Sequence, residues 1–423
     1  MKHVIIGNGP AGVIAAEALR RLDPESAIVL IGDEDEPPYS RMAIPYLLTG
    51  MIKEAGTHLR KDKGHYQNLG IELVRARAEK VDAKARRVKL SNKKQLGYDR
   101  LLVASGAHPI RLDIPGIDLP NVHPCWTLED ARKIAAKAKR GARVTQIGAG
   151  FIGCIILQAL AARGVKLTVV EMGDRMVPRM MNEQSGGLIK KWCEGKGVTV
   201  LTSTRVAAIQ PDTGAHSLSV HLEGGDAHPA DLVICATGVL PNTDVLSGAG
   251  IEIDQGVLVN HYLQTNDSDV FAAGDVARGK DFSTGEYSVQ AIQPTAVEHG
   301  HIAATNMVKG QDIAHQGCVN MNVLDTMGLV SASFGAWQGA EGGDSAELYD
   351  PGRYRYLNLQ FKDDVLVGAN SLGLTQHVGV LRGLIQSRLH LAHWKERLLQ
   401  NPIGIMEAYM AVTQGIGTTP KVA

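Results

Sequence analysis

The chain has no run of about 18 consecutive apolar residues, the length a bilayer-spanning helix needs. Its N-terminus passes from Met1 straight into a strand-like segment, without the charged region, apolar region and cleavage site of a secretory leader. No membrane span is expected, and the sequence reads as cytoplasmic. Net charge is also lacking: 44 Lys and Arg balance 44 Asp and Glu, so no overall field draws nucleic acid or an anionic surface. Cysteine is scarce. Cys125, Cys154, Cys193, Cys235 and Cys318 form no C-x-x-C and no metal-ligand spacing, which argues against a disulfide framework, an iron-sulfur cluster and a zinc site. No bound metal is expected.

What is present is glycine, 47 residues of it, clustered where apolar runs end and a chain needs positive φ or close approach to a ligand. At 423 residues, with 44% hydrophobic and 21% charged, the composition is that of a soluble protein of two or three domains. The apolar run His3 to Ile6 leads into Gly7-Asn8-Gly9-Pro10-Ala11-Gly12 and an Ala-rich helical stretch from Val13 to Arg21. In a strand-loop-helix unit of this kind the first glycine permits the turn, the second admits a pyrophosphate and the third lets helix pack on strand. The phosphates then meet the free N–H groups of the helix start. A second strand, Ala27 to Ile31, ends at Gly32-Asp33-Glu34, where an acidic side chain can bind ribose hydroxyls.

The pattern recurs. Arg143 to Ile147 runs into Gly148-Ala149-Gly150-Phe151-Ile152-Gly153, a helix to about Arg163, and a strand from Leu167 to Val170 that ends in Glu171. At that place a carboxylate accepts hydrogen bonds from an unmodified ribose and repels a 2′-phosphate, so NAD is favoured over NADP, with Arg175 nearby to soften the preference. Two apolar strands ending in small residues echo each other, Leu101 to Ala107 and Leu232 to Gly238, each downstream of its own glycine loop. A third segment, Asp269 to Val276, sets Asp275 just past a buried strand and Gly274, where it can bind a polyol.

With these residues in hand, the chain resembles the pyridine-nucleotide-disulfide oxidoreductase superfamily over roughly residues 1 to 310. The resemblance implies an α/β fold of two Rossmann-like dinucleotide-binding domains, one inserted in the other, followed by a C-terminal α+β domain. The expected divisions are a discontinuous FAD domain of 1–112 and 243–315, an NAD domain of 113–242 and a C-terminal interface domain of 316–423. It implies FAD at Gly7, Gly9, Pro10, Ala11 and Gly12, at Asp33 or Glu34 for the ribose, and at Ala78, Ala104, Ser105, Gly106, Gly274 and Asp275, with Asp275 on the ribityl chain. Thr295, in Gln293-Pro294-Thr295-Ala296, would sit near the pyrimidine end of the flavin, where a helix start favours negative charge. NAD would take Gly148, Gly150, Phe151, Ile152, Gly153, Glu171, Thr237 and Gly238.

Within the superfamily the chain is most similar to rubredoxin, ferredoxin and nitrite reductase flavin modules, which carry a Pro-Tyr-x-Arg segment matched here by Pro38-Tyr39-Ser40-Arg41. The resemblance places Arg41 at the FAD pyrophosphate, a role suited to its planar fork. Two departures stand out. The disulfide-active branch has a redox cysteine just after this segment, where this chain reads Met42-Ala43-Ile44-Pro45-Tyr46, and no cysteine precedes Cys125. Many ferredoxin-reductase-like relatives also pair a lysine with a glutamate at the positions held here by Tyr46 and Ile155. Losing both members is far less costly than leaving one buried charge unpaired.

From about Val319 short β-rich runs (Val319 to Met327, Tyr354 to Phe361, Val365 to Asn370) precede helical segments at Val378 to Arg388 and His393 to Leu399, an α+β pattern. Met406, Tyr409 and Met410 are apolar groups that can pack on a partner or on this chain, and packing on this chain is the expectation. The resemblance implies a flavoprotein that exchanges hydride with NAD and single electrons with an iron-sulfur or rubredoxin-type protein, with no catalytic acid or base. It leaves open a free-standing reductase, a homodimer, or a subunit of a larger complex such as the FAD-containing, NAD-reducing subunits of bacterial tungsten aldehyde oxidoreductases. It also leaves open an NADH-sensing protein of apoptosis-inducing-factor type and a disulfide reductase with a remote thiol.

Overall fold

A strand covered by helices on both faces shows no polar side, and the near-continuous apolar strands of this chain do pair in parallel. The computed structural model describes residues 1–212, 214 and 217–414. β1 (Lys2–Ile6) and β2 (Ala27–Gly32) pair in parallel and are joined by α1 (Pro10–Leu22). Strand Ile71–Arg75 lies beyond β2 and strand Arg100–Val103 beyond β1, both parallel. The second sheet has β3 (Arg143–Ile147) at its centre, followed by α2 (Phe151–Ala162) and β4 (Lys166–Val170). Thr199–Leu201 extends it past β4, and Leu232–Cys235 and Val122–Pro124 extend it on the other side, again all parallel.

The first sheet is completed from beyond the second, by strand Val270–Ala272 pairing with Arg100–Val103. The chain leaves the first sheet through Ala107–Pro109 and returns through Val239–Pro241, and these two segments pair antiparallel with each other. After the return, α3 (Gln293–Lys309) packs along α1. The helices approach closely at Gly300, where a Cβ would stand 2.6 Å from the Ala11 carbonyl oxygen. The two Rossmann-like units keep separate cores, one around Ile5, Leu30, Leu102 and Phe271 and the other around Leu157, Leu160, Val169 and Ile234.

The C-terminal part is a five-stranded antiparallel sheet in the order Met321–Thr326, Leu329–Gly335, Val365–Leu372, Arg355–Lys362, Asp344–Asp350, with helices Val378–Ser387, His393–Gln400 and Ile405–Gln414. Two of these strands escape the sequence reading. Asp344–Asp350 is an edge strand that buries only Ala346 fully, so it carries little apolar pattern. Leu329–Gly335 is almost wholly buried, but its serines break the apolar run. The last helix buries Ile405, Ala408 and Ala411, and Met410 is exposed, so only part of the expected Met406, Tyr409 and Met410 face turns inward. Residues 415–423 of the terminal stretch lie outside the described residues. The C-terminal sheet rests on the second core through Leu324, Leu329, Tyr356 and Leu372, and the Asn370 side-chain amide donates to the Met180 carbonyl at 3.0 Å. Among the described residues no helix is long and apolar enough to cross a membrane.

Candidate functional site

The two glycine loops are built alike. Gly7 has φ +109°, and a Cβ there would lie 2.0 Å from the Ala104 carbonyl oxygen; Gly148 has φ +99°, and its Cβ would lie 2.4 Å from that of Ala236. A Cβ on Gly12 would meet the Gly7 oxygen at 1.9 Å and one on Gly153 the Gly148 oxygen at 2.5 Å. Protein packing therefore accounts for the first and third glycine of each loop. It does not account for the middle ones, since Cβ atoms on Gly9 and Gly150 would meet nothing within 4 Å. Space kept open at a helix start is what a bound phosphate requires.

Capping is compatible with this without singling these helices out, since Val378–Ser387 and His393–Gln400 also lack a side-chain cap. The helix Leu128–Lys137 has a Thr127/Asp130 capping box and the helix Glu183–Gly195 is capped by Asn182, whereas α1, α2 and α3 have no side-chain cap. Their first-turn N–H groups are left for another partner.

A cavity of about 860 Å³ opens over the first loop. Gly7, Gly9, Pro10 and Ala11 line it with Asp33 and Glu34 from the end of β2, and so do Ala78, Ala104, Ser105 and Gly106. Gly274, Asp275, Gln293 and Ala296 close it from the returning segment, and Phe151, Ile152 and Ile155 of α2 reach it from the second unit. Gly12 and Thr295 lie outside the lining. Gly12 is packed under the loop, and the Thr295 hydroxyl lies against the Cys318 sulfur. Of the residues assigned to NAD, Gly148, Gly150, Gly153, Glu171, Thr237 and Gly238 lie apart from this cavity, around the second loop.

Asp275 is half-buried in the cavity wall, and among the described residues its carboxylate has no hydrogen-bond partner. Burial pushes its pKa up, against a smaller downward pull from Arg41. An unpaired carboxylate in such a place fits hydroxyl donors from a ligand, and the open cradle at Gly9 fits a phosphate; together they match the polyol and pyrophosphate of FAD. Arg41 donates to Glu34 Oε1 at 2.6 Å, to the Tyr39 hydroxyl at 2.9 Å and to the Trp126 carbonyl at 2.9 Å, and it stacks over both aromatic rings. The Tyr39 hydroxyl donates in turn to Glu34 Oε2 at 2.6 Å. Glu34 is thus occupied by its neighbours, while Asp33 is exposed at the cavity edge. Trp126, which the sequence reading missed, lies in the link between the sheets, and its Nε1 donates to the Ala107 carbonyl at 3.1 Å.

At the second loop Glu171 is 6% exposed. Its Oε2 accepts from the Ala149 N–H at 2.6 Å and its Oε1 from the Gly173 N–H at 2.7 Å, so the carboxylate fastens the glycine loop to the end of β4. Arg175 is tied to Asp174 and to the Met181 carbonyl.

The sequence model of the pyridine nucleotide-disulphide oxidoreductase family matches residues 1–301. The chain belongs to that family. It is an FAD- and NAD-dependent oxidoreductase. It is 30% identical, over 97% of its length and 98% of the relative's, to the NADH-dependent phenylglyoxylate dehydrogenase subunit epsilon of Aromatoleum evansii. It is 28% identical, over 73% of its length and 80% of the relative's, to the rubredoxin-NAD(+) reductase of Pseudomonas putida. The fold matches the covalent putidaredoxin reductase-putidaredoxin complex with a TM-score of 0.88, over 97% of this chain and 99% of that one at 24% identity.

The family name refers to a redox disulfide that this member does without. All five cysteines are free and buried. Burial pushes the thiols of Cys125, Cys193 and Cys235 up to about 12 and that of Cys318 up to about 11, and it holds that of Cys154 well above the ordinary thiol value. Cys125 alone reaches the cavity, and a thiol so reluctant to ionise is a poor nucleophile. Where relatives pair lysine with glutamate, Ile155 lines the cavity and Tyr46 is largely exposed. A variant with all five cysteines replaced is expected to keep its rate of flavin reduction by NADH in stopped-flow measurements. Loss of that rate with FAD still bound would restore a thiol to the mechanism.

The Glu171 contacts allow a second expectation. Glu171→Ala removes the negative charge and strands two N–H groups, each costing about 1–3 kcal/mol when buried. The KM for NADH should rise roughly tenfold or more, and the preference for NADH over NADPH should shrink. Equal use of both nucleotides by the unmodified protein would refute this role for the β4 end.

Proposed function

We propose that the protein is a flavin relay between NAD(H) and an iron-sulfur protein, acting as the NAD-linked subunit of a larger oxidoreductase. One observation carries this reading: a single cavity runs from the first glycine loop to Phe151, Ile152 and Ile155 of the second unit, and the only thiol along it is the inert Cys125. Bound in it, FAD would supply the conversion between two-electron hydride exchange with NAD and one-electron exchange with a metal centre.

The chain's own part is binding and orientation. Gly9 and the uncapped start of α1 receive pyrophosphate, and Arg41 adds charge beside it. Asp33 takes the ribose, since Glu34 is held by Arg41 and Tyr39. Asp275 accepts from the ribityl hydroxyls, and the uncapped start of α3 at Gln293 favours negative charge at the pyrimidine end. Phe151, Ile152 and Ile155 form an apolar wall that would keep water from the end of the cavity nearest the second unit. On this reading the FAD domain comprises 1–112 and 243–315, the NAD domain 113–242, and the C-terminal domain 316–423.

The subunit role draws support from the end-to-end match to a protein named as one subunit of a dehydrogenase. Five unpaired thiols suit the reducing cytoplasm. Purification of the untagged protein from its native host should bring down an iron-sulfur subunit, and NADH should reduce the flavin and then that partner's clusters within one turnover. A protein isolated alone, whose NADH-reduced flavin does not reoxidise with any iron-sulfur or rubredoxin-type acceptor, would end the relay reading.

A further inference from the structure

Three side chains that neither nucleotide site uses meet behind α3. His299 on α3 and His315 and Cys318 on the segment leading to the C-terminal sheet each offer one ligand atom, and these atoms lie within 4.8 Å of one another with all three residues buried. Cys318 Sγ is 3.8 Å from His299 Nε2 and 3.4 Å from His315 Nε2. A tetrahedral ion with a metal–sulfur bond of about 2.3 Å and metal–nitrogen bonds of about 2.0 Å holds sulfur and nitrogen about 3.5 Å apart. The two sulfur–nitrogen separations bracket that value, and the two imidazole nitrogens lie within 4.8 Å of each other.

We propose that His299, His315 and Cys318 form a binding site for a zinc-class divalent ion, with Glu298 as the fourth ligand. Glu298 Oε1 stands 4.0 Å from His315 Nε2, and its side chain is 57% exposed, so it can swing in from solvent and marks the ion's route. A thiolate, two neutral imidazoles and a carboxylate give the site a net charge of zero around a divalent ion, which makes burial tolerable. Nitrogen and sulfur ligands select zinc and its borderline-soft neighbours over magnesium or calcium.

The backbone already holds the ligands in place. The His315 N–H donates to the His261 carbonyl at 2.6 Å, and the Cys318 carbonyl accepts from the Phe282 N–H at 2.9 Å and from Gln290 Nε2 at 3.1 Å. One contact competes with the ion: the Gly274 N–H donates to His299 Nδ1 at 3.3 Å. Coordination through Nε2 puts the ring proton on Nδ1, so this single long hydrogen bond is given up in exchange for a coordinate bond. The ion would fasten the start of the C-terminal sheet to the helix that closes the FAD cavity, as a structural clasp.

The test uses the full-length protein with FAD bound and cobalt(II) alone as the probe. One equivalent is expected to bind and to give d–d absorption at wavelengths beyond the flavin bands, with the intensity of a tetrahedral ion. Zinc(II) should displace it and remain at one equivalent per chain after dialysis. Cys318→Ser and His315→Ala should each weaken binding at least 100-fold. His301→Ala, which removes an exposed histidine on the same helix, should leave binding unchanged. The absence of a tetrahedral band in the unmodified protein overturns the proposal, and so does undiminished binding in Cys318→Ser. Should a variant lose its FAD and fold poorly, the titration of the unmodified protein decides alone.

Discussion

Gly9→Val is expected to give a protein that folds and is purified without FAD, whereas Gly7→Ala is expected to give little folded protein at all. The two residues sit in one loop, yet they answer to different partners. A Cβ on Gly9 meets nothing within 4 Å, and its φ of −75° suits any residue, so the chain itself tolerates a side chain there at about 1 kcal/mol for a poorer cap. The valine methyls would fill the space above the start of α1 and keep a phosphate from its N–H groups. A loss of at least ~100-fold in FAD affinity, about 2.8 kcal/mol, is expected. At Gly7, by contrast, φ is +109° and the added carbon would stand 2.0 Å from the Ala104 oxygen, a backbone atom that cannot yield without moving its strand. The flavin-to-protein absorbance ratio and the near-ultraviolet circular dichroism of both variants distinguish these outcomes. Stoichiometric FAD in folded Gly9→Val would show that the loop is not the phosphate cradle.

Asp275→Asn should move stability and cofactor affinity in opposite directions. Burial raises the carboxyl's pKa in the folded chain, so between the ordinary carboxylate value and the raised one the folded state holds a proton that the unfolded state has released. Stability of the FAD-free protein from this group is therefore fully present at acid pH and is lost as pH rises through the folded pKa. Asparagine removes that loss, and FAD-free Asp275→Asn should melt above the unmodified protein at pH 7, with the difference vanishing in acid. FAD binding should meanwhile weaken roughly 10- to 100-fold, since a hydrogen bond to a charged group is worth about 1.5–3 kcal/mol. Thermal melts and flavin titrations across pH read both effects. A lower melting temperature in the FAD-free variant at pH 7 would mark Asp275 as a structural residue.

The glycine loops were legible because their requirements are local: a turn, a close approach and a helix start all fall within six residues and leave their mark on the sequence. The strand ends at Asp33, Glu34 and Glu171 were legible for the same reason, but their pairing was not. That Glu34 is held by Arg41 and Tyr39, and that Glu171 fastens its own loop, depends on side-chain geometry that spacing does not carry. Trp126 was hidden because it lies in a connecting segment and meets Arg41 only when the two units come together. The His299, His315 and Cys318 group was hidden for a related reason. His315 and Cys318 have a ligand-like spacing of three, but the third member comes from a helix whose heptad-scale pattern gives no hint that one histidine turns inward. In the C-terminal sheet the edge strand Asp344–Asp350 shows how little apolar signal a strand needs once its partner supplies the hydrogen bonds.

The antiparallel pairing of Ala107–Pro109 with Val239–Pro241 has a consequence for how such a molecule is assembled. Both ends of the inserted unit emerge at one short ladder, tied further by the Ser105 hydroxyl to the Asn242 carbonyl at 2.8 Å and by the Asn242 amide to the Ser105 carbonyl at 2.7 Å. Once the inserted unit is folded its two ends span only this narrow gap, so closing the outer sheet across it costs little further chain entropy. On the proposed assignment of this unit to NAD, an insert of different coenzyme preference spliced at these two strands is expected to fold in its place, and a tight turn there should let the outer sheet close without it.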